Sequence, residues 1–312
     1  MKKVVSVSLG SSKRDHTFTT TILYKTYEIQ RVGTDGDFQK FRQLLEECDK
    51  NPDVMAIGLG GTDLYLAFED IHITLKQTFK LIRGIKKPCL DGSMIKHTLE
   101  PKIILELSQK PGFPSIKGKK VLVVSAVDRF GMVQAFRKLG CKILYGDLIF
   151  SGVKLPIINL PIQIPIKNHW VFRQIAKVML PQVANKSISE LYIIGKDQEK
   201  TDQGDFSRYY NWADIIAGDW HLINRFMPVD LEGKIIITNT VTIDDIHSLT
   251  NRGASWLVTT TPEFGGRSFG TNVIEALFIA ILEKDPNQVT KKDFLQLIDE
   301  LKLVPRIINL KQ

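Results

Sequence analysis

The chain has 312 residues, more than one hydrophobic core usually organises, so two compact domains are expected. Its 43% hydrophobic and 24% charged residues exclude a disordered or fibrous protein, and three dispersed cysteines exclude a disulfide framework or a cysteine-rich metal site, which suits a reducing cytoplasm. A formal charge of +8 suits anionic small molecules or reflects a generally basic surface; no Lys/Arg run interleaved with aromatics points to nucleic acid, and no apolar span approaches the ~20 residues of a membrane helix.

The chain opens Met1-Lys-Lys-Val-Val-Ser-Val-Ser-Leu9, whose apolar stretch is too short for a signal peptide and reads as a first β-strand, Val4–Leu9. Val54–Leu59 reads as a second buried strand. Residues 20–32 suggest a hairpin or paired strands, and helices are expected near 36–49, 74–84 and 97–107. The stretch Ser108–Gly118 holds Pro111, Gly112, Pro114 and Gly118, which interrupt any helix. A domain boundary is placed there, giving an N-terminal α/β substrate domain over 1–114 and a Rossmann-like nucleotide- or anion-binding domain over 115–312.

Beyond the boundary, six short β-rich runs follow: Val121–Ser125, Cys141–Tyr145, Leu191–Ile194, Asp214–Ala217, Lys234–Thr238 and Ser255–Thr259. The stretches between them are long enough for crossover helices; one, Phe130–Leu139, shows helical spacing at Met132, Val133, Ala135, Phe136 and Leu139. Continuous apolar strands alternating with helices imply a doubly wound parallel sheet covered on both faces. The chain closes with helical patterns at 271–283 and 291–301 and a short apolar segment, Val304–Leu310.

Open parallel sheets bind ligands beyond the carboxyl ends of their strands. Those positions here are small and polar: Ser125-Ala126, Gly146-Asp147, Gly195-Lys196, Gly218-Asp219-Trp220-His221, Asn239-Thr240 and Thr259-Thr260-Thr261. The first βα turn aligns with Gly-x-Gly-x-x-Gly as Ala126, Asp128 and Gly131, so only the third glycine is kept. Asp128 would place a carboxylate near the phosphates or cap the following helix. Asp147, 21 positions after Ala126, could bind a ribose 2′-hydroxyl, which favours NAD over NADP, or serve as a turn acid. The segment Thr259–Asn272 joins hydroxyls, Gly265, Gly266 and Gly270, Arg267 and Ser268 ahead of a helix, a composition suited to an anion or to a flexible loop before a capped helix. The expected cofactor contacts are thus Ser125, Asp128, Gly131, Asp147, Asn239, Thr240, Thr260, Gly266, Arg267 and Ser268. Lys96 with Asp91 or Asp63, or His221 with Asp219, could supply acid/base chemistry. No zinc-ligand spacing, P-loop or nucleophile elbow occurs.

The stretches Val124–Gly131, Ile216–His221 and Thr259–Asn272 resemble those of bacterial quinate 5-dehydrogenases across most of the chain. The resemblance implies NAD(P)-linked oxidation of a cyclohexane hydroxyl in the quinate/shikimate class, with a substrate domain preceding the nucleotide domain. The Asn-Val-Thr-x-Pro-x-Lys segment and Gly-Ala-Gly-Gly turn of shikimate dehydrogenases are missing, so no catalytic residue is carried over from that family. The expected function is an NAD(P)-dependent dehydrogenase acting on a small anionic metabolite. The alternatives are a non-oxidoreductase Rossmann-like protein that binds a phosphate- or carboxylate-bearing molecule, and a transferase or lyase using the same cleft. A homodimer is left open as the assembly.

Overall fold

The computed structural model describes residues 1–150, 163–192, 194–195, 201–202, 204–264 and 267–311. The fold is mixed α/β, with two compact units that each contain a mostly parallel sheet. Each unit is assembled from three chain segments: Met1–Ile95, Met179–Lys200 and Phe269–Lys302 form the first, and Lys96–Val178, Thr201–Ser268 and Leu303–Gln312 the second. The Pro/Gly-rich stretch 108–118 therefore lies within the second unit.

In the first unit, strands β1 (Lys2–Ser8), β2 (His16–Ile22), β3 (Lys25–Gly33), β4 (Val54–Gly60) and β7 (Cys89–Leu90) form a sheet in the order β2-β3-β1-β4-β7; β5 (Tyr65–Phe68) and β6 (Ile71–Thr74) form a separate hairpin. β1 runs parallel to both β3 and β4, and β2 turns back antiparallel onto β3, which realises the expected hairpin near 20–32. The alternation of β1 explains its placement: Val5 and Val7 enter a core with Phe41 and Leu45 of helix Phe38–Lys50. Ser6, on the opposite face, accepts a 2.7 Å hydrogen bond from Asn272 Nδ2, at the start of helix Thr271–Leu282. That helix is apolar nearly all round, as a helix buried against a sheet must be.

In the second unit, β8 (Lys120–Val123), β9 (Lys142–Tyr145), β10 (Ile215–Gly218), β11 (Ile235–Thr238), β12 (Trp256–Thr259) and β15 (Arg306–Asn309) are ordered β15-β12-β11-β10-β8-β9, and β13 (Glu263–Phe264) pairs with β14 (Arg267–Ser268). The first five strands are parallel, and β15 is an antiparallel edge. Two details depart from the sequence expectation. Of the run Leu191–Ile194, Ile193 lies outside the described residues and the other three join no strand of this sheet: Leu191 closes a short helix, Ile188–Leu191, which a Ser187/Glu190 capping box starts, with Tyr192 at its C-cap. The sixth strand comes instead from the closing segment, where Ile307 and Ile308 pair with Val258 and Leu257.

The chain enters this sheet at β8, adds β9 on one side, then returns to the other side of β8 for β10 and continues outward. The strand order thus reverses between β8 and β10. In a doubly wound sheet the crevice at such a reversal is the place where loops diverge and ligands are held. Among the described residues no helix is long and apolar enough to cross a membrane.

Candidate functional site

Two glycines let the elements at the β8/β10 reversal come close. β10 ends on Gly218 at φ +131°, and a Cβ there would lie 2.7 Å from Val124 Cγ2, so only glycine fits both the backbone conformation and the neighbour. Gly131, in the first turn of helix Phe130–Lys138, would carry a Cβ 2.0 Å from the carbonyl oxygen of Lys96. Its missing side chain brings the Lys96 segment onto the βα turn.

That approach assembles a network of five charged side chains. Lys96 Nζ donates to Asp128 Oδ1 at 2.5 Å, and the Arg129 guanidinium places Nε 3.0 Å from Asp128 Oδ2. Arg129 Nη1 donates to Glu100 Oε1 at 2.6 Å and Nη2 to Asp219 Oδ2 at 3.0 Å. Asn239 Nδ2, just past β11, donates to the same Asp219 oxygen at 3.1 Å, while Asn239 Oδ1 accepts from Trp220 N at 3.2 Å. Asp219 Oδ1 caps helix Trp220–Phe226 by accepting from His221 N. Thr260 Oγ1 donates to Glu100 Oε1 at 3.3 Å, and Ser125 Oγ lies 3.5 Å from Asp219 N.

Exposure divides the network into an inner and an outer layer. Arg129 and Glu100 are 3% and 0% exposed, whereas Asp128 and Asp219 are 24% and 21% exposed. Burial alone would raise the Asp128 carboxyl, but Lys96 and Arg129 outweigh it and hold the group below the ordinary range. Burial likewise opposes the Asp219 carboxylate, and His221 and Arg129 overcome it. Glu100 behaves oppositely: burial pushes its carboxyl up more than Arg129 pulls it down, and its buried Oε2 has no hydrogen-bond partner among the described residues. The outer layer therefore presents two ionised carboxylates, backed by buried cations. Removing one partner of so buried a set leaves an uncompensated charge, which costs about 3–5 kcal/mol.

The remaining expected residues fall in separate roles. The Asp147 carboxylate accepts from Ala126 N and Val127 N, both at 3.0 Å, and burial raises it to about 6. Thr240 Oγ1 donates to the Ser268 carbonyl at 2.7 Å and Ser268 Oγ contacts Thr259 Oγ1 at 3.0 Å, so these residues pin strand ends together. Asp128 does not cap the following helix; Arg129 is at the N-cap, with no side-chain cap bond. In the first unit, the Asp91 carboxylate accepts from Leu64 N, Tyr65 N and Ser93 N, and Asp63 accepts from the Tyr192 hydroxyl. Gly266 lies outside the described residues, and Arg267 is described only as backbone. Among the described residues no group of three or more His, Cys, Asp or Glu is arranged to hold a metal ion.

Two members of the network, Glu100 and Arg129, are missing from the sequence expectation. A signal for Glu100 was present. It stands at helical spacing with Ile103, Ile104 and Leu107 on the buried face of helix Leu99–Leu107, where an acid needs a partner.

Residues 94–310 match the family model described as Domain of unknown function (DUF8754), and the chain belongs to that family. Residues 3–91 match a second model, Domain of unknown function (DUF8753). No curated protein matches the sequence. The chain is similar to the A chain of dipicolinate synthase from Bacillus subtilis, at 9% identity and a TM-score of 0.33, over 97% of this chain and 79% of that one. It is also similar to an ABC transporter solute-binding protein from Burkholderia multivorans, at 11% identity and a TM-score of 0.37, over 99% of both chains. A galactofuranose-binding protein gives 12% identity and a TM-score of 0.36, over 100% and 95% of the two chains. Likenesses of this size carry no argument about ligand or reaction.

Proposed function

We propose that the β8/β10 reversal binds a small polyhydroxylated metabolite, with Asp128 and Asp219 accepting hydrogen bonds from its hydroxyls. The carrying observation is the pair of partly open carboxylates held ionised on one buried guanidinium, Asp128 by Lys96 and Arg129 and Asp219 by Arg129. An ionised carboxylate accepts hydroxyl hydrogen bonds strongly, and fixing it in advance lowers the cost of ordering it around a ligand. A cyclohexane polyol acid of the quinate/shikimate class, which the sequence resemblance implies, belongs to this ligand class. Its carboxylate would have to lie away from Asp128 and Asp219. His221, beside Asp219, is the residue type suited to exchanging a proton near neutral pH.

A dehydrogenase acting here would also hold NAD(P), and its position at the strand-order reversal favours that second reading. The residues do not fit a dinucleotide in the usual pose. Asp147 already occupies the amides of Ala126 and Val127 that would face a pyrophosphate, and Asp128 stands where the second glycine would allow close approach.

Calorimetric titration with quinate, shikimate and neutral cyclitols tests the primary reading. At least one should bind saturably, and Asp128→Asn and Asp219→Asn should each weaken it by about 1.5–3 kcal/mol, the range for a hydrogen bond to a charged group. Unchanged affinity in both variants would remove the site. Titration with NADH and NADPH, followed by fluorescence, decides the second reading; no saturable binding at millimolar concentration would end it.

A further inference from the structure

A cavity of about 430 Å³ opens along edge strand β9 in the second unit, and its lining shares no residue with the carboxylate network. Its volume lies in the range of small-molecule sites. Lys120, Arg137, Lys142, Lys167 and His169 line it, and among the described residues no Asp or Glu does. Lys120 and Lys142 stand directly opposite one another in the β8/β9 register, a like-charge pair that disfavours the sheet unless something compensates it.

Part of the compensation is a shared aromatic ring. Lys167 and Lys120 share the ring of Trp212, with Nζ atoms 4.5 and 5.9 Å from its centroid. Arg137 Nη1 is 2.7 Å from His169 Nε2, and His169 Nδ1 is 2.8 Å from the Tyr145 hydroxyl. Because a guanidinium can only donate, Nε2 accepts and Nδ1 carries the proton in this geometry. This hydrogen bond holds Arg137 beside His169 in the cavity lining. Asp214, two residues after Trp212, accepts the backbone N–H of Lys120, not its ammonium. Among the described residues Lys120, Lys142 and Lys167 make no ion pair with a carboxylate.

We infer that this cavity is a second binding site, for a small phosphorylated ligand whose phosphoryl group the four cations surround. A phosphoryl group offers at least three acceptor oxygens to donors converging from several sides, whereas a carboxylate offers two. Lysines supply point charge and Arg137 a planar fork. The phosphoryl group can belong to a free phosphoanhydride or to a phosphate ester carrying a ring that packs against Trp212.

The test is calorimetric titration of the full-length protein with pyrophosphate, AMP and citrate at fixed salt, repeated on Lys142→Ala/Lys167→Ala. Pyrophosphate or AMP should bind at one site per chain, about tenfold or more tighter than citrate, and the double variant should lose about tenfold or more. Tighter AMP than pyrophosphate identifies a ring-bearing ester; the reverse identifies a phosphoanhydride. The ligand-free thermal midpoint of the variant should hold or rise, because the like-charge pair is gone. Asp128→Asn should leave pyrophosphate and AMP binding unchanged, which separates this site from the carboxylate network. No saturable binding of either phosphorylated probe, equal affinity for citrate, or undiminished binding by the double variant would overturn the inference.

Discussion

The Asp147 carboxylate is turned inward onto two backbone amides, yet burial still raises it to about 6 from an ordinary value of 3.8. The folded protein therefore holds a proton on this residue across a window where the unfolded chain has released it. Stability rises with pH only where the unfolded state binds more protons, and here the native state does. Asp147 thus contributes a loss of stability as pH climbs from about 4 to about 6, and no further change outside that window. Asp147→Asn keeps an acceptor for one amide and abolishes the titration. The stability of the native sequence relative to the variant should fall across that window and level off on both sides, measured by thermal or urea unfolding at matched salt. Parallel curves would show that the carboxyl titrates normally.

Strands β8 to β12 were legible in sequence because each is a short apolar run ending in small or polar residues. Ser125, Asp128, Asp219 and Asn239 were legible for the same reason, since the ends of strands show where side chains can converge. The apolar run Leu191–Ile194 hides the end of the short helix Ile188–Leu191, although Ser187 and Glu190 form a capping box. β15 shows in the sequence only as a short apolar stretch, because pairing direction leaves no trace in so short a run. Arg129 was missed for a different reason: a turn cation looks solvated until Glu100, 29 residues away, is brought against it. The element that brings it there is helix Phe130–Lys138, seated on the Lys96 carbonyl through Gly131. Alanine is the better helix former by about 1 kcal/mol. Gly131→Ala should nonetheless destabilise the protein by about 1–3 kcal/mol, the usual cost of overpacking, because a backbone oxygen has nowhere to yield. Chemical denaturation measures the difference directly. A stabilised variant would mean that helix propensity dominates and that the helix does not rest on Lys96.

At the scale of the whole chain, two features govern what can be cut away. The first unit's sheet draws its covering helix from residues far along the sequence, for Thr271–Leu282 packs on β1 and β4. The contact is specific: Asn272 bonds to Ser6, Glu275 Oε2 accepts from Met94 N at 3.1 Å, and a Cβ on Gly92 would lie 2.4 Å from Thr271 Oγ1. A fragment comprising residues 1–114 would retain β1 to β7 but lose this helix. One face of the sheet would then lie open along β1 and β4, where it normally meets this helix, Asn272 lying against Ser6 and Gly58. Apolar surface of that extent costs roughly 25 cal/mol per Å² to leave in water, and a sheet covered on a single face is also prone to associate. The fragment should give no cooperative thermal transition and should bind a hydrophobic dye or aggregate, whereas the full chain should unfold cooperatively. Adding the 269–302 segment as a separate peptide should restore part of the transition if the loss is one of packing. A fragment 1–114 that melts sharply, with dispersed amide resonances and no gain from the peptide, would show that the first sheet folds without its distant helix.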